Sequence, residues 1–176
     1  MWMPKSVLCD KKEIYERVKS LFLVNGYSGV DIKTIAYECK MAVGTFYNYY
    51  ENKEEIFCEI ISDSWNLFFK TLKRKKVLGE FIEEIYYYIR NNKGFGLTFK
   101  SIPIEKANNV NNLYDKIVND VARHIVNFIN DDYKNIGRRI ALSLFMSIIL
   151  FTNSYEFNDK DNLEFIYNLF LSYQKK

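Results

Sequence analysis

The sequence predicts an all-helical fold, on three observations. Prolines and glycines are scarce, two and seven in 176 residues, so few positions interrupt a helix. No segment alternates apolar and polar residues between turn signals, the pattern of a half-buried strand. Apolar residues instead recur three and four positions apart, and short polar residues stand just before several of these runs, where a helix needs its first N–H groups capped.

Taken in order, Asp10 and Glu13 have capping-box spacing, so a first helix starts at Lys11. It turns Ile14, Val18, Leu21 and Phe22 inward and stops near Val24, ahead of Asn25-Gly26. After the tight segment 27–30, Asp31 caps a second helix of about two turns whose inward stripe is Ile32, Ile35, Ala36 and Cys39. Residues 40–43 form a turn, and 44–50 a third short helix crowded with aromatic and hydrogen-bonding side chains. Asn52 and Glu55 repeat the capping spacing and open a long fourth helix through Ile56, Phe57, Ile60, Ile61, Leu67 and Phe68. From Val77 onward, helices are expected over 79–91, 110–130, 135–153 and 159–173. A broken stretch runs through Pro103 between the first two, with Gly94 and Gly96 marking either a flexible opening or a helix break. Four or five helices after the fourth bring the expected total to about nine.

Composition narrows the function classes. A chain that is 48% hydrophobic and 17% aromatic can build a sizeable core, whereas a net charge of +3 is too small to argue for a nucleic-acid partner by itself. Cys9, Cys39 and Cys58 are odd in number and widely spaced, which suits neither a disulfide framework nor a CxxC metal site. Reduced cytoplasmic thiols are expected. The first residues lack the uncharged apolar run of a signal peptide, and the densest apolar stretch, 140–152, is short for a bilayer span, so a soluble cytoplasmic protein with no membrane partner is expected. With one histidine, no GxSxG, no phosphate-cradling glycine loop and no ligand cluster, there is no catalytic constellation to assign. No enzyme activity, cofactor or metal is expected.

Two short helices joined by a tight turn and braced by a longer one match the tri-helical scaffold that lays its last helix in the major groove of DNA. Pattern alone fits an ordinary helical bundle with an exposed aromatic patch equally well. The stretch from Gly26 to Phe57, above all DIKTIAYECKMAVGTFYNYYENKEEIF, resembles the DNA-binding signature of the TetR family of regulators. Ile35-Ala36 stands in the second helix, Gly44-Thr45 opens the third, the run Tyr47-Asn48-Tyr49-Tyr50 follows, and Lys53-Glu54-Glu55 starts the fourth, with the spacing kept throughout. The sequence departs from the family at Lys40, where glycine is usual, and at Ala42, Val43 and Asn48, where serine, lysine or another polar residue, and histidine are common. Val43 cannot hydrogen-bond a base or phosphate, and Ala42 cannot cap the third helix.

The resemblance implies an all-α chain with a helix-turn-helix DNA-binding domain over 1–53 and a helical regulatory and dimerisation domain over 54–176. It implies a homodimeric repressor released from a palindromic operator in double-stranded DNA by a small-molecule effector, or a protein of the same fold controlled by a protein partner or by no ligand. By the same resemblance Gly44 opens the recognition helix, Thr45 and Tyr49 contact phosphates or base edges with Tyr47 nearby, and Lys33, Thr34 and Lys53 hold the phosphate backbone. Asn48 has the side chain to pair bidentately with adenine. Tyr87, Phe95, Phe99, Phe128 and Phe145 are candidates for an apolar ligand cavity bordered by His124. The last two helices carry Ile140, Leu144, Ile148 and Phe151, then Leu163, Ile166, Phe170 and Tyr173, as a candidate dimer interface. The cluster Lys70, Lys73, Arg74, Lys75 and Lys76 reads as the solvated end of the fourth helix.

Overall fold

The structure is a computed structural model that describes residues 10–101, 108–153 and 157–175. Within them lie nine α-helices: α1 (Lys11–Asn25), α2 (Ile32–Glu38), α3 (Val43–Phe46), α4 (Lys53–Leu72), α5 (Leu78–Asn91), α6 (Lys93–Ser101), α7 (Asn108–Ile125), α8 (Gly137–Thr152) and α9 (Asp159–Leu171). A 3-10 turn, Asp131–Ile136, leads into α8. Cys9 and Pro103 lie outside the described residues.

The expected caps form. Asp10 accepts from the Glu13 N–H at 2.7 Å, Asp31 from Thr34 at 2.7 Å and Asn52 from Glu55 at 2.9 Å; a further cap beyond those expected, Asn158, accepts from Asp161 at 3.0 Å. Each satisfies a donor that the helix leaves unpaired at its start. Glu55 completes the box at α4 by accepting from the Glu51 N–H at 2.7 Å. No side chain caps α3, as Ala42 dictates, and the helix is shorter than the sequence suggests. It ends at Phe46, and residues 47–50 continue as tight turns through bonds such as Tyr49 N–H to the Phe46 carbonyl at 3.0 Å.

One helix is new. The stretch expected to be broken folds as α6, because its glycines serve packing. A Cβ on Gly94 would lie 2.3 Å from the Phe22 carbonyl oxygen and from the Gly26 nitrogen, so the backbones of α6 and the end of α1 touch with no side chain between them. Gly26 itself holds the left-handed stop of α1 at φ 70°.

A single apolar cluster runs from Ile14 to Phe170 through both halves of the chain. At its centre Trp65 on α4 is fully buried. It stacks on Phe69 and Phe95 and meets Tyr88 and Phe145, while its indole N–H donates to the buried Asp120 carboxylate at 3.0 Å. That bond removes the penalty of an unpaired buried N–H. Around this centre α8 packs on α5, α7 and α9, and α1 on α4 and α6. At the far end Asp159, in the first turn of α9, accepts from Tyr86 at 2.8 Å and pairs with Arg90 at 2.6 Å, pinning α9 to α5. The segment Asp131–Thr152 is long and apolar enough, by length and composition alone, to cross a bilayer, longer than the stretch 140–152 suggested. Here Ile140, Ala141, Leu144, Phe145, Ile148 and Ile149 of that segment are buried in the bundle.

Candidate nucleic-acid interface

The N-terminal head consists of α1, α2 and α3, held on the start of α4. Ile35, Ala36, Cys39, Phe46 and Tyr50 point into the core, and these buried anchors fix how α3 sits against α2. The turn between the two helices closes as a Schellman motif: the Met41 N–H donates to the Ala36 carbonyl at 2.9 Å and the Lys40 N–H to Tyr37 at 3.0 Å. That closure needs a left-handed residue, and Lys40 supplies it at φ 52°. Lysine thus adopts the conformation for which the family uses glycine. Arg17 of α1 braces the same place, donating to the Glu38 carbonyl at 3.3 Å and pairing with Glu13 at 2.5 Å.

The residues expected to meet DNA separate into two groups. Lys33, Gly44, Tyr47 and Asn48 are exposed, and Thr34, Thr45 and Tyr49 are half-buried at the edge of the same head. Tyr47 is 54% exposed although its ring contacts Phe46 edge-on. A Cβ on Gly44 would meet nothing within 4 Å, so this glycine faces open space and lets a neighbouring molecule approach the backbone. Sequence reasoning passed over Tyr37, which is 80% exposed one turn after Lys33; a large apolar ring on the outside of α2 was the available signal.

Lys53 departs from expectation. Its ammonium donates to the Tyr27 and Val30 carbonyls, both at 2.8 Å, and lies 4.0 Å from the centroid of the Tyr27 ring. Burial lowers its pKa, opposed by the Asp31 carboxylate. The charge expected to hold a phosphate instead ties the α1–α2 loop to the start of α4. Asp31 is held below the usual carboxylate range by the Thr34 backbone N–H and hydroxyl.

The expected ligand-cavity residues do not converge. An apolar cavity of about 20 Å³ lies between α4, α6 and α7, lined by Phe57, Ile61, Phe95, Thr98, Val110, Leu113, Tyr114 and Ile117, room for one water-sized molecule. Phe95 lines it. Phe145 packs on Trp65 instead, and Phe128 on Phe81 and His124, because helical spacing also describes ordinary core. Tyr87 lies 40% exposed on the outside of α5, and the side chain of Phe99 lies outside the described residues. His124 is half-buried among Phe69, Phe81 and Phe128. Burial, then Lys76 and Lys73, lower its pKa against a hydrogen bond with the Lys75 backbone, and its Nε2 is buried without a hydrogen-bond partner among the described residues. Among those residues no group of three His, Cys, Asp or Glu could hold a metal ion.

The expected dimer residues also need correction. Ile140, Leu144, Ile148, Ile166 and Phe170 are buried within the protomer, so the stripe that periodicity picked out closes the monomer core. Phe151, Leu163 and Tyr173 are half-buried. The apolar residues left outside on these helices are Met146, Leu150, Phe165, Leu169 and Leu171, exposed over 45–59% of their surfaces, with Phe151 edge-on to Phe165 at 5.3 Å.

Residues 14–60 match the family described as bacterial regulatory proteins, tetR family. A stretch of 70 residues, 40% of this chain, is 30% identical to YuxN of Bacillus subtilis (strain 168), an uncharacterised HTH-type transcriptional regulator, and spans 24% of that protein's length. Among solved structures the chain is similar to a TetR-family transcriptional regulator from Cytophaga hutchinsonii, at 14% identity and TM-score 0.68 with all of both chains covered. It is also similar to AibR in complex with isovaleryl coenzyme A and operator DNA, at 14% identity and TM-score 0.58, covering 90% of this chain and 96% of that one. At such identities the structural likeness speaks for the fold, while the match over α1 to the start of α4 speaks for the family. Over its tri-helical head, where the signature spacing lies, the chain matches the TetR family of bacterial regulatory proteins across residues 14–60.

Proposed function

We propose that the chain is a cytoplasmic transcriptional regulator that binds a palindromic operator as a homodimer, with residues 1–53 reading DNA and 54–176 regulating and dimerising. One observation carries this reading: the head buries Ile35, Phe46 and Tyr50 while leaving Lys33, Gly44, Tyr47 and Asn48 exposed, an arrangement with a docking surface and no chemistry. Asn48 and Tyr47 are the base-edge candidates; Lys33, Thr34, Thr45 and Tyr49 position the backbone. Lys53 acts on DNA only through the loop it holds. Met146, Leu150, Phe165 and Leu169 form the partner face, since a paired set of α8 and α9 covers apolar surface and fixes the separation of two heads.

Repression relieved by a small molecule is the regulation this reading takes, and the lining of the cavity asks for an uncharged, apolar group. AibR, of the same fold, is solved with an acyl-coenzyme A and operator DNA. The small size of the cavity favours a second reading, in which the same DNA-binding dimer answers to a protein partner or to no ligand.

The test is a gel-shift titration of purified protein against the palindromic duplex upstream of its own gene, with a scrambled duplex at equal length and salt. Selective binding is expected. Equal, weak binding to both duplexes would refute operator recognition at that site.

A further inference from the structure

We propose that the Thr98 hydroxyl is the joint through which filling of the cavity between α4, α6 and α7 reaches the α1–α2 loop, an inference that rests on reading the chain as a ligand-controlled regulator. Thr98 is buried and lines the cavity. Its hydroxyl accepts from the Tyr27 N–H at 2.9 Å and donates to the Gly94 carbonyl at 2.8 Å. One side chain therefore borders the cavity with its carbon atoms while its hydroxyl joins α6 to the loop that launches α2.

The surroundings leave this joint little slack. Gly26 and Gly94 bring the two backbones into contact, so a shift of α6 is not absorbed by a side chain between them. Tyr27 is gripped from its other sides by the Lys53 ammonium on its carbonyl and ring and by Phe57, whose ring lies 5.2 Å away and which also lines the cavity. Across the cavity, the Glu54 carboxylate accepts from the Asn109 and Val110 N–H groups at 2.9 and 3.3 Å. This ties the start of α7 to the first turn of α4. With that wall held, a group entering the cavity displaces α6, and Thr98 carries the displacement to Tyr27 and so to α2. Thr98 is a positioning residue: it is not assigned any contact with DNA.

Filling the cavity from within substitutes for an unidentified ligand. Val110→Phe sets a ring in place of a small side chain in the cavity wall, which crowds the opposite walls. Thr98→Val keeps the shape of the side chain and removes the hydroxyl, and Thr98→Ser keeps the hydroxyl. Hydrogen exchange of the peptide covering residues 27–36 is measured on the full chain for wild type, V110F, T98V, T98S and the V110F/T98V double variant, with global unfolding midpoints alongside. V110F and T98V are each expected to speed exchange there by roughly tenfold, the double variant by less than about twofold over T98V, and T98S to resemble wild type. Val110→Leu replaces V110F if the latter does not fold. Equal acceleration by V110F with and without the hydroxyl, or T98S behaving as T98V, overturns the joint. Gel shifts of the same proteins separate the two ideas. Non-additive exchange with no selective DNA binding by wild type sinks the regulator reading and leaves the joint, whereas selective binding with additive exchange sinks the joint and leaves the regulator.

Discussion

Replacing Lys53 by methionine keeps the apolar stem and removes the ammonium, with its two 2.8 Å bonds to the Tyr27 and Val30 carbonyls. Hydrogen bonds involving a charged group contribute about 1.5–3 kcal/mol each. Lys53 is only half-buried, so solvent competes and a value below that range applies, roughly 1 kcal/mol per bond. The ammonium over the Tyr27 ring adds about 0.5–1 kcal/mol. The expected loss of stability is therefore about 2.5–3 kcal/mol, which for a chain of this length lowers the thermal midpoint by roughly 5–12 °C. Loosening the loop also weakens operator binding, but without deleting a phosphate contact. The slope of log K against log salt is thus expected to stay constant, whereas loss of a true phosphate contact lowers it by about 0.9. The assay pairs thermal unfolding with gel shifts at several salt concentrations. An unchanged midpoint together with a slope smaller by about one would refute the internal role and restore Lys53 to the DNA backbone.

Two glycines give opposite expectations. Gly94→Ala places a Cβ 2.3 Å from backbone atoms of α1 and should cost at least about 2 kcal/mol in urea unfolding; Gly44→Ala, within α3 and with nothing within 4 Å of its Cβ, should raise stability by up to about 1 kcal/mol while weakening operator binding. Leu169→Glu, placed in the exposed apolar face of α9, should give monomer by light scattering where the wild type is expected to give dimer, and a variant as dimeric as the wild type would relocate the proposed interface. Burial pushes the Tyr88 hydroxyl up to about 12; burial and then the Glu54 carboxylate push the Cys58 thiol up to about 12. Both groups have folded pKa values above their unfolded ones, so their contribution to stability is complete below about pH 9 and is lost as pH rises toward 12. The urea midpoint should fall across that window, and Cys58 should resist alkylation at pH 8; rapid labelling of the folded protein would contradict its burial.

How much of this was legible in the sequence depended on whether the signal was local. The caps at Asp10, Asp31 and Asn52 set the starts of α1, α2 and α4 because a cap is an interaction over three residues. The missing cap at Ala42 likewise foretold a weak α3. Gly94 and Gly96 read as breakers because propensity describes an isolated helix, whereas α6 forms against α1 at Gly94 and against Ile89 and Ile149 at Gly96. Periodicity found the apolar stripes of α8 and α9 but could not say which surface each stripe meets. Five of the eight residues assigned to a partner, Ile140, Leu144, Ile148, Ile166 and Phe170, close the protomer core, and the outer face, with Met146, Leu150, Phe165 and Leu169, sits beside them. Of the exposed head residues, Lys33, Gly44, Tyr47 and Asn48 followed from the signature spacing, and Tyr37 did not. The engagement of Lys53 did not, since its acceptors at Tyr27 and Val30 lie 26 and 23 positions away.

The left-handed lysine of the turn carries a further consequence. At φ 52° Lys40 bears a steric cost of roughly 1–2 kcal/mol that glycine would not, and it bears it at the hinge between the two helices of the head. A head built this way sits below the stability its fold allows. Substitution by glycine would relieve the clash and remove a positive charge from the surface in one step, so firmness of fold and attraction to a polyanion pull on this position in opposite directions.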